Sequence, residues 1–475
     1  MKQSYDFTAG PIGRPLLLYT LPLLLANVLQ SFYQLVDLLV VGRIVGETGL
    51  AAISSASTVC FLITSLGTGL TTGGMVRVAQ QAGAKDTTGL EETAGTLFSA
   101  SLVVSLLVAV AGALTAPCLL QLLSVPSEAM ADASAYLRVL CLGTPLSFGY
   151  LAHSAFRKGT GDAKVPLLCI AAAAAINLLL DLLLVGILAL GTVGAACATV
   201  ASQGASLLLS LSLGRGQDGA VSRRPRFTLR RQPLAAIVKI GLPTALQMVV
   251  VNLSYCVLAG MCNTFGVSVA AAAGIGLKVN TLVAMPCWSL GQAVTAMVGQ
   301  NTGAGAMDRV RKITGLWYGL ASTLILLLLV HRFSLPILQL FGSDSPEVLS
   351  AGVLYFQICC GVNSLFYTAM YLFDSFAIGL GHAKVALVPF GQLPAAPACL
   401  LVSGFPPRLG LSRSVDRAGH LSPAPRPHRG MVLPPHRWKL PHPPWIRQAD
   451  TWPVSSHCTR DLTKKPCQTG FFPVY

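Results

Sequence analysis

Charged side chains are scarce in this chain: they make up 11% of its 475 residues, whereas about 25% is usual in a soluble domain. Hydrophobic residues make up 53%. Long apolar runs, such as residues 97–114, 165–190 and 313–330, approach the ~20 residues that a helix needs to cross a bilayer. This composition excludes an ordinary soluble protein and predicts an all-α polytopic membrane protein.

Motifs of catalysis and metal binding are missing as well. The sequence has no HExxH, no GxSxG and no paired-aspartate motif of intramembrane proteolysis, so we expect no enzyme activity. Its 13 cysteines form no CxxC pair or Cys/His cluster, and most lie in apolar segments, where they fill space between helices. We therefore predict no cofactor. The first apolar segment has no cleavage site after it and is expected to be an uncleaved span.

The chain does contain a long internal repeat. Displaced by 220 residues, the segment Gly159–Val165 falls on Gly379–Val385, and Gln80 falls on Gln300. Solenoid repeats have periods of roughly 20–50 residues, so this is a duplicated half-protein. Duplicated membrane halves are typical of secondary transporters.

The apolar segments and the charges between them predict both the helices and their orientation. We expect the N-terminus and every basic loop to lie in the cytoplasm, because cytoplasmic loops carry an excess of Lys and Arg. Topology also explains the basic run 215–239, which indicates a link between the halves and no nucleic-acid partner. The predicted helices are 16–41, 50–76, 93–116, 134–156, 165–187, 191–213, 234–261, 269–298, 313–337 and 350–378.

The repeat stops near residue 390, where two further helices are expected. Residues 392–475 hold 15 of the 29 prolines and are rich in Arg and His. We interpret this tail as the product of a reading-frame change; a natural Pro-rich tail that binds a partner and a His/Cys metal site are the alternatives. The predicted domains are an N-lobe of six helices (1–214), a basic linker (215–233), an incomplete C-lobe of about four helices (234–391) and the tail.

Two acids lie inside spans of the first half: Asp37 late in the first helix and Asp181 in the fifth. An ionisable residue in a span is costly, so it indicates function by default. Asn177 shares a helix face with Asp181, being four residues away. These oxygen ligands suit a small cation such as Na⁺, but a buried carboxyl can also carry a proton, and a purely structural pairing is the third possibility. In the second half, Asp374 lies near a helix end, where we expect a boundary or hinge role.

Several segments together resemble the multidrug and toxic compound extrusion (MATE) transporters over about residues 10–390. The segments are Pro22, Gln30, Tyr33, Val36–Gly46, Leu50–Ala52, Gln80–Ala84, Asn177–Asp181 and Val298–Ala304. The resemblance implies a V-shaped pair of six-helix bundles in the cell (inner) membrane, of which ten helices are present here. It also implies export of cationic amphipathic drugs in exchange for inward Na⁺ or H⁺. Its cation site carries over to Asp37, Asn177, Asp181 and Thr199, with Tyr33 nearby.

The substrate cavity and the partners are less constrained. Aromatic and Met side chains suit apolar cations, and the candidates are Phe148, Tyr150, Met248, Tyr255, Met285, Trp288 and Met297. We expect a monomer in the lipid bilayer with small-molecule substrates. A lipid-linked saccharide flippase of the same superfamily is the alternative within transport, with Arg138 and Lys278 as the cations that would hold a pyrophosphate. The other alternative is a nonfunctional truncated transporter.

Overall fold

The computed structural model describes residues 5–123, 125–213, 227–263, 267–313, 316–340, 346–359 and 362–385, and the regular structure within these ranges is helical. The basic linker up to residue 226 and the tail 392–475 lie outside the described residues. The interpretations of the tail and the four-part domain division therefore remain predictions.

The first half forms six long helices, as the apolar segments predict. They are α1 Gly13–Ile44, α2 Glu47–Gly83, α3 Thr87–Leu122, α4 Ser127–Gly159, α5 Lys164–Asp181 and α6 Gly191–Leu213. Helix α5 continues directly into a π-helical segment, Leu182–Ile187. The Asp86 side chain caps the start of α3 by accepting a hydrogen bond from the Gly89 amide.

The second half begins with two equally long helices and then differs from the prediction. Its helices are α7 Arg231–Asn263, α8 Val267–Gly303, α9 Met307–Val310, α10 Leu316–Arg332, α11 Ser334–Leu340, α12 Pro346–Cys359 and α13 Val362–Gly379. The predicted helix 313–337 is divided at Phe333. Pro336 explains the division, because its ring has no N–H and crowds the carbonyl of Arg332, where α10 ends. The predicted helix 350–378 is represented by α12 and α13, with residues 360 and 361 outside the described part.

Eight described helices are long and apolar enough to cross a membrane. Their outward faces are apolar: the side chains of Leu107, Leu114 and Leu208 are 66%, 76% and 70% exposed. Apolar exposure on this scale is not tolerated by a water-soluble monomer but is what lipid contact requires. The chain is therefore a multi-pass membrane protein.

The two halves interlock through their first two helices. Helix α2 packs against α7, and its repeat counterpart α8 packs against α1. Helices α2 and α8 also meet each other. The same contacts recur after exchange of the halves, which is the arrangement expected of parallel repeats related by an axis along the membrane normal.

The segment before α1 closes one end of this interface. Phe7 is buried, and its ring packs edge-on against Tyr19 with ring centroids 5.1 Å apart. The Phe7 amide donates to Gln300 Oε1 at 3.1 Å, and Asn301 Nδ2 donates to the Phe7 carbonyl at 3.0 Å. The N-terminal segment thus joins the first half to the end of α8.

Candidate functional site

The two membrane acids of the first half come together in the structure. Helix α1 carries Asp37 and packs against α5, which ends at Asp181. Their side chains are neighbours in the packed structure, and both residues are buried, at 9% and 0% exposure. Two carboxylates can share a hydrogen bond only if one of them holds a proton, since the ionised form only accepts. The pair therefore needs either a proton or a cation between its members.

Three of the four carboxylate oxygens of this pair lack a hydrogen bond within the described part of the chain. Asp37 Oδ1 and both carboxylate oxygens of Asp181 are buried without a hydrogen-bond partner there. The ion pairs described are Arg157–Asp162 and Arg230–Glu92, so neither membrane acid is paired with a described Lys or Arg. A buried, unpaired carboxylate is strongly disfavoured, so this arrangement favours uptake of a positive charge.

The amide and hydroxyl predicted to join the acids also lie in this region. Asn177, one turn before Asp181, is 2% exposed, and its Nδ2 is buried without a partner among the described residues. Helix α6 packs against both α1 and α5 and carries Thr199, whose Oγ1 is likewise buried and unpartnered there. Carboxylate, amide and hydroxyl oxygens form a donor set that fits a hard monovalent cation as well as it fits a proton.

Two further residues lie near this candidate site that the sequence analysis did not indicate. The Tyr33 side chain lies within reach of Gln203, one helical turn after Thr199. Tyr136 of α4 is buried close to Asp37, Asp181 and Tyr33. Gln203 has a recognisable signal, since it extends the polar face of α6 that starts at Thr199. Tyr136 has none, because only tertiary packing brings α4 to the acids.

The π-helical segment after Asp181 gives the site an unusual backbone. The Leu188 amide donates to the Leu183 carbonyl at 2.9 Å, a bond that spans five residues. Segments of this type occur mostly as single turns within α-helices and are frequent at functional sites.

The described residues hold no group of three His, Cys, Asp or Glu side chains able to bind a metal ion.

The candidate cavity residues differ in how deeply they are buried. Met297 is fully buried in an apolar cluster with Tyr19 and Val294. The Trp288 indole N–H donates to the Tyr367 hydroxyl at 2.9 Å. Buried candidates are Phe148, Tyr150, Met285 and Met297; half-buried ones are Met248 and Trp288. The Tyr255 side chain lies outside the described part. Their role in substrate binding remains a prediction.

Three other singled-out residues have clear positions. Asp374 of α13 accepts a hydrogen bond at 2.9 Å from Gln247 Nε2 of α7, so it ties two second-half helices together. Arg138 of α4 and Lys278 of α8, the cations considered for a flippase, are both exposed. The hinge role of Asp374 and the flippase alternative remain untested predictions.

Known proteins are similar to this chain in both sequence and fold. The sequence model of the MatE family matches residues 22–183 and 243–390. "Probable multidrug resistance protein YoeA" of Bacillus subtilis is 32% identical over 350 residues, which cover 72% of this chain and 76% of that protein. "Probable multidrug resistance protein YpnP" of the same organism is 30% identical over 311 residues, covering 65% and 69%.

Among solved structures, the MATE transporter VcmN of Vibrio cholerae, in a mutant form, superimposes with a TM-score of 0.77. It is 21% identical, and the match covers 82% of this chain and 90% of that one. The fold, the two matched segments that flank the linker, and the relatives agree. The chain belongs to the MATE family of membrane transporters.

Proposed function

We propose that this chain is a secondary active antiporter that exports cationic amphipathic drugs or other toxic compounds in exchange for inward Na⁺ or H⁺. The names of the two Bacillus relatives support a drug as the substrate. The charge distribution supports a cell-membrane protein with a cytoplasmic N-terminus.

The observation that carries the proposal is the pair of buried, unpartnered carboxyl groups of Asp37 and Asp181 between α1 and α5. A bound cation neutralises this pair and favours the state in which α1 packs closely against α5. A conformational state gains occupancy only to the extent that it binds the ion more tightly than the other state does. Ion binding and substrate binding would then be linked through the position of α1.

The polar groups around the acids decide which ion the site can take. A Na⁺ ion would be held by carboxylate oxygens together with the Asn177 carbonyl and the Thr199 hydroxyl. A proton would sit on one carboxyl and be shared with the other. Tyr33 and Tyr136, which lie near the acids, would restrict access of water in either case.

Half-buried aromatic and Met side chains in the second half support an apolar cation as substrate. Trp288 and Met248 are partly accessible on α8 and α7. Aromatic faces attract cations by roughly 0.5–2 kcal/mol each, and thioethers adapt to varied apolar shapes. Such contacts favour amphipathic cations over strongly hydrated ones.

The test is gradient-driven transport by the purified full chain in proteoliposomes, with ethidium as substrate. We expect an imposed Na⁺ gradient or pH gradient to drive ethidium in the opposite direction. Asp37→Asn should abolish this movement. Asp132 is an acid in the first turns of α4, outside the site, so Asp132→Asn should leave the movement unchanged. Ethidium movement that follows neither gradient, or that survives in the Asp37 variant, would overturn the proposal.

A further inference from the structure

The turn after α13 repeats the turn after α4 in its backbone geometry. After α4, the amides of Thr160, Gly161 and Asp162 donate to the carbonyls of Phe156, Lys158 and Arg157. After α13, the amides of Leu380, Gly381 and His382 donate to the carbonyls of Phe376, Ile378 and Ala377, each 220 positions later. The second glycine has a positive φ in both turns, +90° at Gly161 and +86° at Gly381. The two turns are therefore equivalent parts of the two halves.

The N-terminal segment fills the space beside the first turn. The Tyr5 amide donates to the Gly161 carbonyl at 3.1 Å. Gln300 at the end of α8 donates through Nε2 to the Gly159 carbonyl at 3.0 Å and accepts from the Phe7 amide through Oε1. Phe7 is buried there.

The equivalent space beside the second turn is an open cavity of about 330 Å³. Its lining includes Gly381, the counterpart of Gly161, and Gln80, the counterpart of Gln300. In sequence, Phe7 corresponds to Phe227, since Phe7–Thr8 falls on Phe227–Thr228 at the same displacement of 220. Phe227, however, is 70% exposed, and the nearby Arg230 amide is bound to Thr96 Oγ1 of α3 at 3.2 Å. The aromatic plug of the first half is thus not reproduced by the described part of the second.

The charged residues that the structure describes around the cavity are all basic. Arg77, Lys239 and Lys384 line it beside His382, and no acid is among the described lining residues. Arg77 Nε is buried without a hydrogen-bond partner among the described residues. The general excess of cations at this end of a membrane protein places Lys and Arg in loops, but it does not explain why cations from three separate segments converge on one cavity.

One substitution between the repeats removes the acid that would balance this charge. In the first turn, Asp162 pairs with Arg157 at 3.5 Å and accepts from the Lys164 and Val165 amides at 3.0 and 3.2 Å. The second turn has His382 at this position. The carboxylate that neutralises the first turn is therefore replaced by an imidazole, which brings no negative charge.

We propose that this cavity binds a phosphate group, presented either by an anionic phospholipid or by a soluble phosphate. Arginine and lysine are the side chains that bind phosphate best, through charge-assisted hydrogen bonds. The volume is sufficient for a phosphate with part of the group it esterifies. In the proposed orientation the cavity faces the cytoplasm, where the anionic lipids of the inner leaflet lie. The proposal does not depend on the transported substrate or on the coupling ion.

The test is equilibrium binding to the purified full chain in a neutral detergent. The probes are dioctanoyl phosphatidylglycerol, inorganic phosphate and, as the zwitterionic control, dioctanoyl phosphatidylcholine. We expect saturable binding of at least one anionic probe and none of phosphatidylcholine. His382→Asp should weaken binding about tenfold or more, because it introduces the carboxylate that the first turn carries. The same turn tolerates Asp in the first half, so this variant is expected to fold.

Lys384→Gln and Lys164→Gln form a matched pair, since the two lysines are repeat counterparts and only Lys384 lines the cavity. We expect Lys384→Gln to bind the anionic probe about tenfold more weakly and Lys164→Gln to bind it unchanged. If His382→Asp shows no cooperative unfolding, and is therefore not folded, the two lysine variants decide whether the proposal holds. Binding of the lipid alone identifies a headgroup site, and binding of both anionic probes identifies a general phosphate site. Equal binding of phosphatidylcholine, no saturable binding of either anion, or an equal loss in both lysine variants would overturn the proposal.

Discussion

Gly83 at the end of α2 lies directly against the backbone carbonyl of Gln300 at the end of α8, so closely that a Cβ atom at Gly83 would overlap the carbonyl oxygen. The repeat-related contact is present too, because a Cβ atom at Gly303 would overlap the carbonyl oxygen of Gln80. Small residues allow membrane helices to approach backbone to backbone. The two contacts exchange when the halves are exchanged, so the pseudo-two-fold axis that relates the halves passes between the ends of α2 and α8.

Alanine at either glycine should therefore destabilise the association of the two halves. We expect Gly83→Ala and Gly303→Ala each to lower the free energy of unfolding by about 1–3 kcal/mol, because a backbone carbonyl cannot move aside as a side chain can. Denaturant unfolding in detergent measures the change. Gly274→Ala is the control, since Gly274 lies in α8 with nothing within 4 Å of its added Cβ, and it should be neutral or stabilising. Equal effects at Gly274 and Gly83 would contradict this explanation.

The acid pair makes a prediction that separates coupling from folding. Asp37→Asn keeps the size of the side chain and removes its charge, so expression and the unfolding midpoint should be preserved. Ion-dependent stabilisation should disappear, since an ion stabilises the folded state only when its concentration is comparable to or above its Kd for that state. The measurement is the thermal unfolding midpoint in sodium chloride against choline chloride, and across pH. An ion-dependent shift that remains in the variant would place the ion elsewhere.

Thr199→Val distinguishes the two coupling ions, because it removes a hydroxyl ligand with little change of shape. If Na⁺ binds at this site, the half-saturating Na⁺ concentration should rise about tenfold, equivalent to roughly 1.4 kcal/mol. A proton held between Asp37 and Asp181 needs no hydroxyl, so transport driven by a pH gradient should be unaffected. The measurement is ethidium transport at graded Na⁺ and at graded pH. Normal responses to both gradients would exclude Thr199 from the site.

The sequence predicted the helices well wherever apolar length alone defines them, as in α1 to α8. It missed the division at Phe333, although Pro336 was visible, because a strongly apolar run outweighed a single Pro. The π-helical segment after Asp181 could not be predicted, since its residues are ordinary Leu, Val, Gly and Ile. Local spacing carries no signal for a backbone bond that spans five residues.

The candidate site shows the same division between local and tertiary information. Asp37 and Asp181 stood out because charge in an apolar span is costly wherever it occurs. Tyr136 looks like any aromatic residue of a membrane helix and joins the acids only through the packing of α4. The basic cavity was equally hidden, because its cations come from α2, from α7 and from the turn after α13.

The N-terminal segment provides the last prediction, through the fork of Arg309. Its Nε donates to Asn301 Oδ1 at 3.0 Å, Nη1 to the Gly10 carbonyl at 2.9 Å and Nη2 to the Phe7 carbonyl at 3.1 Å. Lysine keeps the charge but has no planar fork, so Arg309→Lys cannot hold all three acceptors. We expect a loss of about 1–3 kcal/mol in the free energy of unfolding, because charge-assisted hydrogen bonds to part-buried acceptors are lost.

The N-terminal segment should also become accessible to protease before the helices do, since its carbonyls lose their hydrogen bonds to Arg309. Arg311→Lys, an exposed arginine two residues away, is the control and should change neither measurement. If Arg309→Lys has the unfolding free energy of the unmodified chain but loses its N-terminal segment to protease, then Arg309 holds this segment in place without contributing to the stability of the helices. If both measurements stay unchanged, the arginine fork does not hold the N-terminal segment, and the aromatic packing of Phe7 on Tyr19 must suffice.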